Sequence, residues 1–330
     1  MYKPPFVISN KMLVLSISIT EKIGMINKYE SLKRMPVLRK NNKIKSIHSS
    51  LAIEANSLSV DQVFDVIAGK IVIGPKHEIQ EVKNAYKAYQ MIQSFDGYKE
   101  ADLLKAHKMI LDVIDDNAGN YRTQGVGVFK NNIPIFFAPT EELVPKLMKD
   151  LFNWLKNDQE TPILIKSCIF HYEFLFIHPF VDGNGRVARL WQNVLLTKWN
   201  PIFEYVPIEN MILKNQEKYY QSISNCNKQG KSDLFVEFML KMIDETLDEI
   251  LVNVKRESQN ISNQVNRLLE IMEPDIPLSA NEIMSRLGVK SKETLRSSYL
   301  NPALENGLIR MTIPNKPKSK NQKYIRWQRK

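Results

Sequence analysis

The chain has 330 residues, of which 43% are hydrophobic and 25% charged, with a formal net charge of +10. Such proportions describe a soluble globular protein with room for two domains, and no run of about eighteen apolar residues offers a transmembrane helix. The charge is uneven: residues 251–330 hold fifteen Lys and Arg against seven Asp and Glu, so any argument about nucleic acid belongs to that part alone.

Residues 1–45 read as an extended start and a helix over about 20–29, broken at Arg34-Met35-Pro36. The apolar stretch 12–19 follows Pro4, Pro5, Ser9 and Asn10 and precedes no small-residue cleavage site, so a signal peptide is not expected. Cys168 and Cys226 lie in partly apolar helical contexts and are expected as free buried thiols, which fits a cytoplasmic location. Residues 46–56 are helix-permissive, with a stop at Asn56-Ser57 and Ser59 as cap of the next helix. Ser50 and Glu54 are four apart and share a face; taken alone they describe a surface helix with a solvated Glu.

Helices are expected over 60–69 and 78–95, separated by Pro75, with Val82, Ala85, Tyr86 and Tyr89 forming a buried stripe. His107, in a helix over 101–111, reads as a packing or surface residue. After Gly119-Asn120-Tyr121-Arg122 the texture changes. Residues 126–129 and 133–137 are short β-like runs joined by Asn131-Asn132, a hairpin in an otherwise helical chain. Thr140 is placed to cap a helix over 141–155, and a strongly apolar helix is expected over 163–177.

That helix leads into His178-Pro179-Phe180-Val181-Asp182-Gly183-Asn184-Gly185-Arg186-Val187-Ala188-Arg189, followed by another helix over 190–198. Pro179 and the glycines sit between two helices, where breakers belong. Gly183, Asn184 and Gly185 can present successive N–H groups as an anion nest at the N-terminus of the second helix. Arg186 and Arg189 are three apart and offer planar forks to phosphate oxygens. Asp182 is a hard oxygen ligand suited to Mg²⁺ shared with phosphates, and His178 is a base suited to pH 7. The bland alternative is a glycine-containing helix–helix turn with surface arginines. Helices over 211–226 and 234–254 follow; Tyr219 and Tyr220 read as core and Asn227 as a helix end.

Residues 255–266 read as a linker or helix extension, and 264–272 as a short helix ended by Pro274. Ser279-Ala280-Asn281-Glu282 has the form of a capping box; Gly288 is a turn, 291–306 a helix, and 307–313 and 322–327 two strands about a basic loop. Helix, turn, helix and hairpin is the order of a winged helix. Lys290, Lys292, Arg296 and the loop lysines either contact DNA phosphates or form a solvated face of a domain that packs on a partner.

The twelve-residue stretch resembles the Fic family motif, His-Pro-Phe-x-Asp-Gly-Asn-Gly-Arg-x-x-Arg, without departure. The resemblance implies a mainly α fold: a Fic-type helical core with a β-hairpin flap, and then the winged helix, whose Pro302 to Ile309 run and wing resemble the C-terminal domain of many bacterial Fic proteins. It divides the chain into an N-terminal helical region 1–100, a catalytic core 101–254 and a winged-helix domain 255–330. It implies a protein adenylyltransferase that moves AMP from ATP, with Mg²⁺, to a Ser, Thr or Tyr hydroxyl of a target protein docked on the flap 126–137. His178 would be catalytic, Asp182 the metal ligand, and Gly183, Asn184, Gly185, Arg186 and Arg189 the phosphate site; Tyr219, Tyr220 and Asn227 would lie around the adenosine. Residues 46–56 resemble the family's inhibitory motif, Ser/Thr-x-x-x-Glu-Gly/Asn, through Ser50 and Glu54, with Ala55 departing. Two other functions stay open: a DNA-binding regulator whose Fic fold senses nucleotide, and removal of AMP with Glu54 placing a water. A homodimer is compatible with the sequence, and no membrane partner is implied.

Overall fold

The structure, a computed structural model, describes residues 2–28, 36–130, 133–317 and 319–326. The expected break at Arg34-Met35, the Asn131-Asn132 turn, and the expected helix and strand ends at Tyr29 and Trp327 lie outside these residues. The chain divides into two compact units, Met1–Leu251 and Val252–Lys330.

The first unit contains α1 (Asn10–Lys28), α2 (Pro36–Ile53), α3 (Val60–Ile67), α4 (Lys76–Gln90) and α5 (Glu100–Ile110). The hairpin β1 (Gly127–Lys130) and β2 (Ile133–Phe137) comes next, then α6 (Val144–Asn157), α7 (Ile163–Ile177), α8 (Asn184–Trp199), α9 (Ile208–Lys214) and α10 (Gln216–Gln229). The long helix α11, Asp233–Ile271, begins here and runs past the division between the units.

A helix that is apolar all round belongs in a protein's centre. α7 is such a helix: twelve of its residues are buried, including Phe170, Phe174 and Ile177, and it packs along α8, which is buried nearly throughout. The other helices cover this pair. α2 lies against α9 and α4, and α6 against α7. β1 and β2 are antiparallel with an irregularity between Val128 and Phe129, where Pro134, which cannot donate to a ladder, enters the pairing. Cys168 and Cys226 are free and buried, and burial pushes the Cys168 thiol up to about 12.

Local signals and their outcomes differ element by element. Ser59 caps α3 in a full capping box with Gln62. Thr140 does not cap: its side chain bonds no helix N–H, and α6 opens through a 3₁₀ turn with a proline in its first turn, which needs no donor. The expected helix over 211–226 is two, separated at Asn215. The polar run 255–266 is uninterrupted helix because it holds no Gly or Pro, and its Lys, Arg, Glu and Gln are good helix formers.

In the second unit β3 (Leu278–Ser279), β4 (Ile309–Met311) and β5 (Lys323–Arg326) form a sheet in the order β3-β5-β4. α12 (Ala280–Leu287) starts at the Ser279–Glu282 capping box and ends at Gly288 with φ +70°. Ile283, Leu295, Tyr299, Leu300 and Tyr324 form its core. The helical stretch 292–305 widens to a π-helix over Leu295–Leu300. Pro302 follows at once; it lacks a donor and its ring crowds the carbonyl four residues back, which a wider turn accommodates. Among the described residues no helix is long and apolar enough to cross a membrane.

α7 also carries a buried carboxylate. Glu173 is 4% exposed and accepts the Tyr2 hydroxyl at 2.8 Å, and burial pushes its pKa up to about 7. A carboxyl raised in the folded state holds its proton there while the unfolded chain releases it. Stability therefore falls as pH rises from about 4.5 to 7, by on the order of 3 kcal/mol, and is level above. We expect the melting temperature to drop over that window, and E173Q to flatten the drop. A wild-type melting temperature independent of pH there would show that Glu173 ionises freely.

Candidate active site

The twelve-residue loop is held from both sides. His178 ends α7 in the left-handed region, φ 50° and ψ 59°, which turns the chain sharply; a residue with a Cβ adopts this at a cost of about 1 kcal/mol. Asn184 staples the loop shut: its Oδ1 accepts the Phe180 N–H at 3.0 Å and its Nδ2 donates to the Phe180 carbonyl at 2.9 Å. Gly183 takes φ +79° at the entrance to α8. The side chain of Asn184 is thus occupied within the loop, and only its backbone N–H is left for an anion.

His107 supports the loop from α5. Its ring stacks on Phe180 with centroids 3.5 Å apart and planes 5° from parallel. The Gly119 N–H donates to His107 Nδ1 at 2.8 Å, so Nε2 carries the proton and donates to the Asp182 carbonyl at 3.1 Å. Burial lowers its pKa, consistent with this neutral tautomer.

Both arginines of the loop are engaged by acids from other helices. Arg186 donates to Glu81 Oε1 and Asp182 Oδ2, each at 2.7 Å, and Glu81 Oε2 accepts Asn56 Nδ2 at 2.8 Å. Arg189 is 2% exposed. Its Nη2 donates to Glu54 Oε1 at 2.7 Å and to the Ser50 carbonyl at 2.9 Å, and its Nε donates to Ser50 Oγ at 3.1 Å. Burial alone would lower the Arg189 pKa; Glu54 reverses this and holds it raised. Arg189 Nη1 is buried without a hydrogen-bond partner among the described residues. The Glu54 carboxylate lies on the first turn of α8: a Cβ at Gly185 would come 2.2 Å from Glu54 Oε1 and 3.1 Å from Arg189 Nη1. A carboxylate therefore rests where the helix N-terminus and the Arg189 guanidinium favour an anion.

α2 delivers Glu54 through its C-terminal turn. Ala55 N–H bonds the Ala52 carbonyl at 3.0 Å, Asn56 N–H bonds the Leu51 carbonyl at 3.2 Å, and Ala55 sits at φ +67°. That pattern is a Schellman end, whose turning residue is ordinarily Gly or Asn. The preference at this position of the motif is thus a backbone preference, and Ala55 meets it under strain.

His178 is half-buried beside Arg122; desolvation first and the Arg122 charge after it hold its pKa below the ordinary value, against a weak backbone contact to Leu175 that works the other way. Asp182 is pulled below its ordinary value: burial works against this, and Arg186 outweighs it. Tyr219 is 1% exposed with its hydroxyl 3.0 Å from His171 Nε2, behind Arg189. Tyr220 is half-exposed and donates to the Ile53 carbonyl at 3.2 Å, where Gln216 Nε2 also donates at 3.0 Å. Asn227 Oδ1 accepts the Tyr172 hydroxyl at 2.9 Å. The fold thus brings Ser50, Glu54, His178 and residues 182–189 together, with Tyr220 at the end of α2. Tyr219 lies in the wall behind them, and Asn227 is turned to Tyr172. Glu81, His107 and Arg122 complete the site; only their positions in space reveal them.

Residues 97–196 match the Fic/DOC family, and residues 263–325 match the Fic-like C-terminal domain of filamentation induced by cAMP proteins. The chain is 26% identical over 282 residues, 82% of its length, to "Protein adenylyltransferase fic-1" of Caenorhabditis elegans, and covers 52% of that protein. It is 29% identical over 184 residues, 54% of its length, to "Probable protein adenylyltransferase aq_aa38" of Aquifex aeolicus, and covers 53% of it. It spans about half the length of the curated relatives it matches. A Fic domain protein of Bacteroides thetaiotaomicron has the same fold at TM-score 0.62 and 19% identity, over 72% of this chain and 97% of the other. A crystal structure of a Fic family protein from Desulfovibrio desulfuricans G20 superposes with a TM-score of 0.74 at 40% identity, over 100% of this chain and 99% of that one. With that likeness running through both units and the loop motif intact, the chain belongs to the Fic family.

Proposed function

We propose that the protein is an autoinhibited adenylyltransferase that moves AMP from ATP to a hydroxyl side chain of a target protein. The observation that carries this is the anion site at the start of α8: Arg189 with one unpartnered buried N–H, the close approach at Gly185, and a carboxylate already seated there. A triphosphate is the ligand that satisfies such a site, and the names of the relatives support AMP as the group transferred.

The residues also fit a divalent cation shared with the substrate. Asp182 is a hard oxygen ligand whose side chain is 60% exposed, and the described residues hold no cluster of three acids, His or Cys that would cage an ion without substrate. Mg²⁺ bound there neutralises phosphate charge. Arg186 and the N–H groups of residues 183–185 hold the α- and β-phosphates, and Arg189 the γ-phosphate. His178 takes the proton of the target hydroxyl while its oxygen bonds the α-phosphorus. The bond from that phosphorus to the bridging oxygen breaks, and pyrophosphate leaves with the electron pair. Positioning and fixed charge supply most of the rate. Glu54 restrains the reaction by holding Arg189, so that ATP binds with its phosphates out of line. The second unit takes no part in this chemistry, and DNA contact or a homodimer finds no support in the comparisons.

Labelled ATP and Mg²⁺ test the proposal. E54G is expected to raise labelling of protein about a hundredfold, the scale of releasing one partner of a buried ion pair, with ATP affinity nearly unchanged. R189A is not rescued by E54G, because Arg189 serves transfer as well as restraint. Labelling by E54G at the wild-type level would refute the restraint.

H178A is expected to abolish labelling in the E54G background while ATP still binds. The pH dependence follows from the lowered His178 pKa. The base must be neutral to accept a proton, so the rate rises with pH through a midpoint below 6.5 and is level from there to pH 8. A midpoint above 6.5 would remove His178 as the base.

A further inference from the structure

Arg122 lies outside the twelve-residue motif and is 3% exposed. Its guanidinium reaches four backbone carbonyls from three parts of the chain. Nε donates to His178 at 2.8 Å, Nη1 to Gln124 at 3.0 Å, and Nη2 to Pro139 and, at 3.4 Å, to Ile177. Its own N–H donates to the Pro179 carbonyl at 2.9 Å. Its charge is met by these carbonyl dipoles at the C-terminal end of α7 and, at longer range, by Glu141.

The four acceptors are of two kinds. Ile177 and His178 end α7, and His178 is the base. Gln124 and Pro139 are the two stems of the hairpin, three residues before β1 and two after β2. One planar fork therefore ties both stems of the hairpin to the backbone of the base. A hairpin joined to a domain by two short stems hinges at them, and a two-stranded ribbon has little rigidity of its own. A guanidinium presents five donors in fixed directions, so it spans acceptors on both sides; an ammonium group reaches them from one point only.

We propose that Arg122 is a positioning residue that fixes the height of the hairpin edge above His178, and so sets the register between a docked target's hydroxyl and the base. This rests on the proposed AMP transfer with the target lying along the hairpin. Water attacking the α-phosphorus needs no such edge, whereas a side chain carried on a polypeptide does. Loss of the clamp therefore penalises transfer to protein more than release of free AMP.

The test uses the full chain in the E54G background with labelled ATP and Mg²⁺, and compares protein-linked with free AMP. R122Q is expected to lower that ratio at least tenfold. R122K is expected to fall between, because a lysine reaches one stem but not both. An unchanged ratio in R122Q, whatever happens to the separate rates, overturns the proposal, and so does full recovery in R122K. Should Gln at 122 prevent folding, R122K decides alone: the parent ratio overturns the clamp and a reduced one supports it. Amide hydrogen exchange supplies a reading that needs no chemistry. Exchange at residues 125–127 and 138 is expected to rise tenfold or more in R122Q while α8 is unchanged, and unchanged exchange at the stems overturns the clamp. If the E54G parent forms neither free nor protein-linked AMP, the transfer proposal fails, and the exchange result still decides whether the clamp exists.

Discussion

A guanidinium as deeply buried as that of Arg189 has to be met by acceptor oxygens. Leaving it alone in the interior would cost several kcal/mol. In this chain the charge is met by Glu54, with Ser50 supplying two further acceptors. Much of the surrounding architecture serves that pairing. α2 exists at this length and angle because it packs on α9 and α4, and its last carbonyl is held by Gln216 and Tyr220. Gly185 leaves the space into which the carboxylate fits. Behind Arg189, Tyr219 is fixed by His171, whose pKa burial lowers to about 3, so no second positive charge competes there.

Much of the fold is legible because its signals are local and strong. The apolar run 163–177, the breakers after it and the capping boxes at Ser59 and Ser279 each specify one backbone state. The weaker readings depend on context. A polar stretch without Gly or Pro suits linker and helix equally, and propensity alone does not decide, so the continuous helix through 255–266 is visible only in the structure. Thr140 has the right side chain for a cap, but the 3₁₀ turn after it takes the position. The helix expected over 291–306 does run past Pro302, but the π-helical widening over Leu295–Leu300 that accommodates the proline carries no mark in the sequence.

The site divides along the same line. Residues 178–189 are adjacent in sequence, so their chemistry is read directly. Ser50 and Glu54 are about 135 residues away from Arg189 and were reachable through a second motif. Glu81, His107 and Arg122 carry no such mark. Each is an ordinary residue on a helix or in a turn, and its part in the site comes wholly from tertiary placement: a carboxylate beside Arg186, a ring beneath Phe180, a fork among four carbonyls. Asn184 is instructive in the other direction. Its place in the motif suggests a ligand contact, and its side chain is spent on the loop's own shape.

The alanine at the end of α2 sets a threshold. Holding Ala55 at φ +67° costs about 1 kcal/mol that glycine would not incur in the folded state. A terminus strained by that amount frays about five times as often as an unstrained one. The turn that presents Glu54 to Arg189 is therefore spring-loaded toward opening, through the backbone of the residue that follows Glu54. One backbone angle, in the residue next to Glu54, thus tunes how firmly the Glu54–Arg189 pair is held, and a single change at that position moves this balance without altering either charged group.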